Sequence, residues 1–405
     1  MRYLPLTSVV LLLASAASAQ NLYLLGGPLS AYATDASADG RVVVGYDAGT
    51  YWYWTLETGV NLIGGRPPGS GVGGSASVTN DGTRIAGNDT NIFTEKVEAA
   101  VYTIADQTWQ TLGSFGSHCD AEASGGWGMS GDGTTVVGLA WEPGCQARAF
   151  RWREATGLTS LGTAFFFKPT RANATNDDGR IIVGWQDNYD GWRQAAIWTD
   201  GVQTLLTGPG GVKLPEAGAV SGNGQWVGGI GLASLGRPAW RWSVATGYQS
   251  LGPVPIAGYT GYCTAMNGDG SVATVFFRGG PPAVSGEGYL WIDGRGLVPL
   301  EDYAREQGVD VPDDVRLSLP LGISSDGRTI VGSCRTENGS SVFVLDLPRG
   351  GVPCPTDLNG DGQTASADLG ILLAAWGTPD RDLDGDGVVG SSDLTILLGA
   401  WGPCP

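Results

Sequence analysis

A single histidine, His118, stands in a chain of 405 residues, and that scarcity removes whole classes of chemistry. Histidine-rich catalytic metal sites are excluded. A serine or cysteine triad would have to recruit His118, which lies beside Cys119 in no G-x-S-x-G-type context. None of the six cysteines forms a C-x-x-C, which makes a thiolate zinc site the weaker reading of them. Basic residues are outnumbered 23 to 40, and the net charge of −17 argues against a nucleic-acid partner, whose phosphates would be repelled. Beyond residue 20 no apolar run approaches the ~20 residues that a bilayer crossing requires, so the sequence predicts no transmembrane segment in the mature chain.

What the chain does have begins with a leader. Arg2 supplies positive charge, Val9 to Leu13 the apolar centre and Ala17-Ser18-Ala19 the small residues of a cleavage site. Residues 1–19 therefore read as a secretory signal, the run being too short for an anchor. The expected location is secreted, extracellular or cell-surface associated, where disulfides persist.

Sixty-seven glycines sit largely at turns of one recurring pattern, typified by SGDGTTVVG at 130–138. The turn returns as SADGRVVVG, TNDGTRIAG, TNDDGRIIVG, SGNGQWVGG, NGDGSVATV and SSDGRTIVG, with turn glycines Gly40, Gly82, Gly133, Gly179, Gly224, Gly270 and Gly327. Each unit reads as four short strands. The first is made of small residues, the second is a β-branched run closed by glycine (134–138 in the type unit), and the third carries an aromatic. Those aromatics are Trp54, Tyr102, Trp152, Trp198, Trp242 and Trp291, with Val344 in the last unit, and they read as packing between units rather than a ligand platform. Most spacings match the ~40–50-residue blades of a propeller. The last unit lacks a fourth strand, and residues 21–26, NLYLLG, supply a suitable one. The expected fold is mainly β, a seven-bladed propeller of four-stranded blades over residues 20–348, with six or eight blades as alternatives. An insertion at 300–315 contains EDYAREQG, which reads as a short helix.

After a linker at 349–353 the composition changes. DLNGDGQTASADLGILLAAWG at 357–377 is echoed by DLDGDGVVGSSDLTILLGAWG at 382–402. Oxygen-bearing residues recur at loop positions 1, 3, 5 and 12: Asp357, Asn359, Asp361 and Asp368, then Asp382, Asp384, Asp386 and Asp393. Gln363 and Val388 offer backbone carbonyls at position 7. This spacing wraps hard oxygen ligands around calcium, one ion per loop, and suits magnesium less well. Asp at position 12 departs from the usual Glu. Each loop runs into a helix predicted to reach Trp376 or Trp401, with Gly377 and Gly402 as caps.

The S-x-D-G-x-x-x-V-G turns, the A-F-x-W strand and the LEDYAREQGVDV insertion resemble the HAF family of extracellular repeat proteins. The tail, opened by Cys354-Pro355 and closed by Gly402-Pro403-Cys404, is similar to a type I dockerin of the GC type over residues 354–405. The first resemblance implies an exported propeller with no settled ligand. The second implies calcium-dependent folding and docking onto a cohesin-like or cell-surface receptor through loop positions 10 and 11: Ser366, Ala367, Ser391 and Ser392. Ala367 departs from the hydroxyl pair of many dockerins.

Six cysteines in an exported chain suggest three bridges. Cys119 and Cys145 are equidistant from Asp132, so a hairpin centred there sets them opposite each other. Cys354 and Cys404 bracket the tail module, and Cys263 with Cys334 is left by elimination. Asp35, Glu122 and Glu216 fall on or near first strands, where a glycosidase-like pair is conceivable, yet no residue is assigned a catalytic role. The leading expectation is a non-catalytic binding protein that takes a glycan, a peptide or a surface partner on its propeller. The alternative is an extracellular polysaccharide hydrolase or lyase carried by a dockerin.

Overall fold

The computed structural model describes residues 21–26, 31–68, 75–347, 355–359, 363–384 and 387–403. The expected leader, the linker, Asp361, Asp386, Cys354 and Cys404 lie outside the described residues.

Seven antiparallel four-stranded sheets follow one another along the chain. Blade one is the meander Tyr32–Ala36, Val43–Tyr46, Tyr51–Thr55 and Gly59–Gly64. The first strands of the next six blades are Ser77–Val78, Ser124–Met129, Thr170–Thr175, Ala217–Val220, Thr260–Met266 and Arg316–Ile323. Blade seven takes its outermost strand from Leu22–Gly26, which pairs antiparallel with Gly339–Asp346, placing Leu22 opposite Leu345 and Leu24 opposite Phe343. The expected closure by the N-terminal segment and the count of seven both hold.

The third-strand aromatics pack from blade to blade. Trp54 lies in a cluster with Val331, Val342 and Val344 of blade seven, Trp152 with Ala86 and Val101 of blade two, and Trp198 with Val137 and Ala149 of blade three. Flat rings filling the wedge between two sheets bury a large apolar area for few ordered torsions.

Outside blade five, where the strand Val227–Gly229 does end there, the second strands do not stop at the glycine that the pattern places at their end. In blade three the strand is Val136–Glu142 and its partner Gln146–Arg153, both running past Gly138. Gly138 is a mid-strand position where a Cβ would run into the backbone carbonyl of Gly125 on the neighbouring first strand and, at 2.9 Å, into Phe150 Cε1. The glycine allows the close approach of that strand and of the ring, and does not end its own strand.

On the side of the recurring turns, backbone hydrogen bonds lace neighbouring blades. Ala38 N donates to Asn80 O, Asn80 N to Gly131 O, Asp132 N to Asp177 O, Asp177 N to Gly222 O and Gly268 N to Ser325 O. The insertion forms helix α1 (Leu300–Glu306), and buried Glu301 accepts a hydrogen bond from Leu317 N at 2.6 Å, fastening it to blade seven.

In the tail, α2 (Ser366–Ala374) and α3 (Ser391–Gly399) pack through buried Leu372, Val389 and Leu397. Both helices end earlier than the sequence pattern suggests, so Trp376 and Trp401 stand beyond them, 47% and 50% exposed. Gly377 takes φ +78°, and its N–H donates to Val389 O while Val389 N–H returns to Thr378 O. This two-bond link between the repeats competes with a last helical turn.

Candidate functional site

The first strands converge on a central cavity of ≈490 Å³. Six of them carry a β-bulge at the same place, leaving Thr34, Trp127, Asn173, Gly218, Thr264 and Leu321 without a ladder partner. All six line the cavity. A bulge bends its strand and re-aims a side chain, so a scaffold of near-identical blades presents threonine, tryptophan, asparagine and leucine side chains, and one glycine, around one space.

The cavity end opposite the recurring turns is rich in rings and charge. Tyr32 and Tyr46 are cross-strand partners in blade one with centroids 5.4 Å apart. Tyr262 and Phe276, cross-strand partners in blade six, are stacked at 4.6 Å and 6°, with the Arg278 guanidinium 5.0 Å from the Tyr262 centroid. Arg171 lies 3.8 Å over Trp127 and pairs with Glu216 at 2.8 Å.

Of the three carboxylates singled out from sequence, two, Asp35 of blade one and Glu216 beside blade five, line the cavity. Glu216 is fully engaged: Oε1 accepts from Arg171 and from Asn173 Nδ2 at 2.9 Å, and Oε2 from Arg193 at 3.1 Å. Asp35 accepts from Ala36 N, Ser77 Oγ and Val78 N at 2.8–2.9 Å. Burial nevertheless pushes its carboxyl up to about 6, outweighing those bonds, with the Asp177 charge adding to the rise. Glu122 does not line the cavity. It sits beside Cys119, its Oε1 is buried without a hydrogen-bond partner, and burial pushes it up to about 7. At the turn end Asp177 reaches across between Gly131 and Gly222 and is raised by burial, against a hydrogen bond from Asn80. Asp35 and Glu216 are thus each held in place by three donors.

The tail loops repeat one geometry. Asp368 Oδ1 accepts from Leu358 N and Asn359 N, and its Oδ2 from Ala365 N. Asp393 does the same with Leu383, Asp384 and Gly390. Burial alone would raise Asp368, but the backbone N–H groups outweigh it and hold the carboxyl below its ordinary value. At Asp393 the N–H of Gly390 leads the lowering, with Leu383 next. Carboxylate oxygens of Asp382, Asp384 and Asp393 lie within 4.8 Å of one another. An all-oxygen, anionic donor set of this kind fits calcium. Ser366, Ala367, Ser391 and Ser392 open the two helices and are exposed.

Cys119 and Cys145 form a disulfide, Cα–Cα 5.0 Å, as their spacing about Asp132 implies. The Cys263–Cys334 pairing does not hold. Cys263 lies in the first strand of blade six and Cys334 in the second strand of blade seven, both as free buried thiols. Elimination ignored which blade each occupies. His118 is an exposed loop residue whose Nδ1 sits 3.1 Å from Asp120 O.

Reasoning from sequence missed Tyr32, Trp127, Arg171, Tyr262, Phe276 and Arg278. For Tyr32, Trp127, Arg171 and Tyr262 the available signal was their departure from the small residues otherwise filling the first strands; Phe276 and Arg278 lie on the second strand of blade six, where no such contrast marks them.

No family model matches the chain, and no curated protein matches it. Among solved structures, oligogalacturonate lyase from Vibrio parahaemolyticus superposes with a TM-score of 0.53 at 12% identity, covering 82% of this chain and 95% of that one. The β-propeller domain of the Trilobed protease from Pyrococcus furiosus gives 0.49 at 12% identity, covering 78% and 96%. TolB from Acinetobacter baumannii gives 0.40 at 12% identity over 78% of this chain, which spans only 63% of TolB. At 12% identity the likeness to the lyase is one of fold alone.

Proposed function

We propose that this chain is an exported, non-catalytic binding protein whose propeller takes an extracellular ligand in its channel and whose tail docks it to a cohesin-like or cell-surface receptor. The observation that carries the binding reading is the set of bulges: six aligned positions of one repeated scaffold line one cavity, and apart from Gly218 they bear side chains of four kinds, in Thr34, Trp127, Asn173, Thr264 and Leu321. A purely structural channel would be filled by repeats of one small residue. The engaged state of Glu216 and Asp35 favours binding over hydrolysis or lysis.

For the tail, the reading is two calcium ions held by Asp357, Asn359, Asp361, Gln363 and Asp368, and by Asp382, Asp384, Asp386, Val388 and Asp393. Support comes from the duplicated spacing and the clustered oxygens of the second loop. Calcium would neutralise carboxylates that otherwise repel, so the loops would order on binding it. Exposed Leu373, Trp376, Ile396, Leu398 and Trp401 give a docking partner apolar surface beside Ser366, Ala367, Ser391 and Ser392.

Two measurements test this. A glycan panel incubated with the purified chain should show retention of at least one glycan without release of reducing ends; release assigns the chain to the hydrolase or lyase alternative. Calcium titration should raise helical circular dichroism in the intact chain and fail to do so in the double variant Asp368→Ala, Asp393→Ala. Helix content that ignores a chelator would remove the calcium reading.

A further inference from the structure

Blade six differs from its neighbours at the channel mouth. Tyr262 and Phe276 lie parallel, and both line the cavity with Arg278, Thr264 and Ala283. Arg278 faces the ring stack, 5.0 Å from one centroid and 6.0 Å from the other. The other arginine of the cavity wall, Arg171, is neutralised: with Arg193 it balances Glu216 and Asp187 in one network. Among the described residues, no carboxylate lies within ion-pairing distance of Arg278. In a chain with 40 acidic residues against 23 basic ones, an unpaired guanidinium held over two rings inside a cavity is conspicuous. Guanidinium matches a carboxylate with two parallel N–H donors, and the aromatic faces beside it match the apolar C–H face of a sugar ring.

The geometry points to a carboxylated saccharide as the propeller's ligand, with Arg278 receiving the uronate group and Tyr262, backed by the buried Phe276 ring, the sugar that bears it. This rests on the channel-binding reading above and names its ligand class. Hydroxyl-bearing Tyr32 and Ser75 line the same cavity and suit the remaining sugar hydroxyls. A volume of ≈490 Å³ admits a few sugar rings and no folded partner.

The test is calorimetric titration of the full chain with three probes of equal length: a uronic-acid hexasaccharide from alginate, neutral cellohexaose and an acetylated hexaglutamate peptide. Binding of the uronate probe in preference to both others is expected. Arg278→Gln should weaken it about tenfold or more, the scale of a charged hydrogen-bonded pair, and Arg278→Lys should restore only part. Tyr262→Ala, checked for folding by circular dichroism, should lower affinity for both saccharides. If cellohexaose binds as well as the uronate, or Arg278→Gln leaves uronate affinity unchanged, the acidic-sugar assignment falls while channel binding stands. If the peptide binds best, the ligand class is wrong. If none of the probes binds, the channel-binding reading fails with it.

Discussion

A carboxylate taken largely out of water, with one oxygen buried and unpartnered, destabilises the fold that holds it, and Glu122 is in that position. Burial alone raises it, from an ordinary 4.5 to about 7, and no hydrogen bond to its Oε1 offsets the rise. Between those two values the folded chain binds more protons than the unfolded one, so this residue's contribution makes stability fall as pH rises through the window. Glu122→Gln should remove that fall. At pH 8 the variant should be the more stable by up to about 3 kcal/mol, from ~1.4 kcal/mol per pH unit, and the gap should close near pH 4. Thermal melts of both proteins across pH 4–8 check it; a gap independent of pH means the charge is not what burial penalises. The residue was legible as an acid near a first strand, but its isolation was not, because the groups around it come from blades two and three and from the Cys119 loop. The same limit explains the cysteines. Cys119 and Cys145 are joined by a local hairpin that spacing reveals, whereas Cys263 and Cys334 belong to blades whose register only the assembled ring defines.

At the level of strands and turns, the glycine of each recurring turn has two jobs. Gly82 has φ +72°, which a side chain resists, and a Cβ there would lie 2.7 Å from Val42 Cγ2 of the preceding blade. Gly82→Ala should therefore cost roughly 2 kcal/mol, a left-handed backbone penalty plus crowding at the blade interface. Gly82→Ala combined with Val42→Ala should recover the crowding part and leave the backbone part, a split that denaturant melts of the three variants resolve. No recovery would place the whole cost in the backbone. Such turns, the aromatic ladder and the four-strand unit were readable because each repeats, and a repeated pattern reveals its own period. The channel mouth was not readable for the converse reason. Bulges shift register by one residue in the first strands, so side chains that alternate in sequence do not alternate about the channel. Trp127 and Arg171, from neighbouring blades, meet only there.

At the scale of the molecule, the ring depends on a bond between its two ends. Asn21 and Asp346 are 325 residues apart in sequence, yet Asn21 Nδ2 donates to Asp346 O at 3.0 Å, and Asp346 N to Asn21 O at 2.8 Å. Leu22 is buried in the core of blade seven with Phe343 and Leu345, while Tyr23 lies 5.2 Å from Trp54 of blade one. One short strand therefore completes a sheet and packs against the next. Closure entropy grows only slowly with loop length, so the long separation is no bar to a stable ring. Removing residues 21–26 should expose the Gly339–Asp346 edge along its whole length, and an open edge invites pairing with another chain. Expected results are faster amide hydrogen exchange in blades one and seven, little change in blades three to five, and concentration-dependent association by analytical ultracentrifugation. Leu22→Ala, which keeps the backbone ladder and deletes only buried side-chain volume, should cost about 2–4 kcal/mol and leave the chain monomeric. A monomeric deletion with unchanged exchange would show that blade seven stands without its borrowed strand, and the ring would then owe its closure to the packing of Val43 and Trp54 on Val331, Val342 and Val344 and to the bond from Ser333 Oγ to Ala31 O.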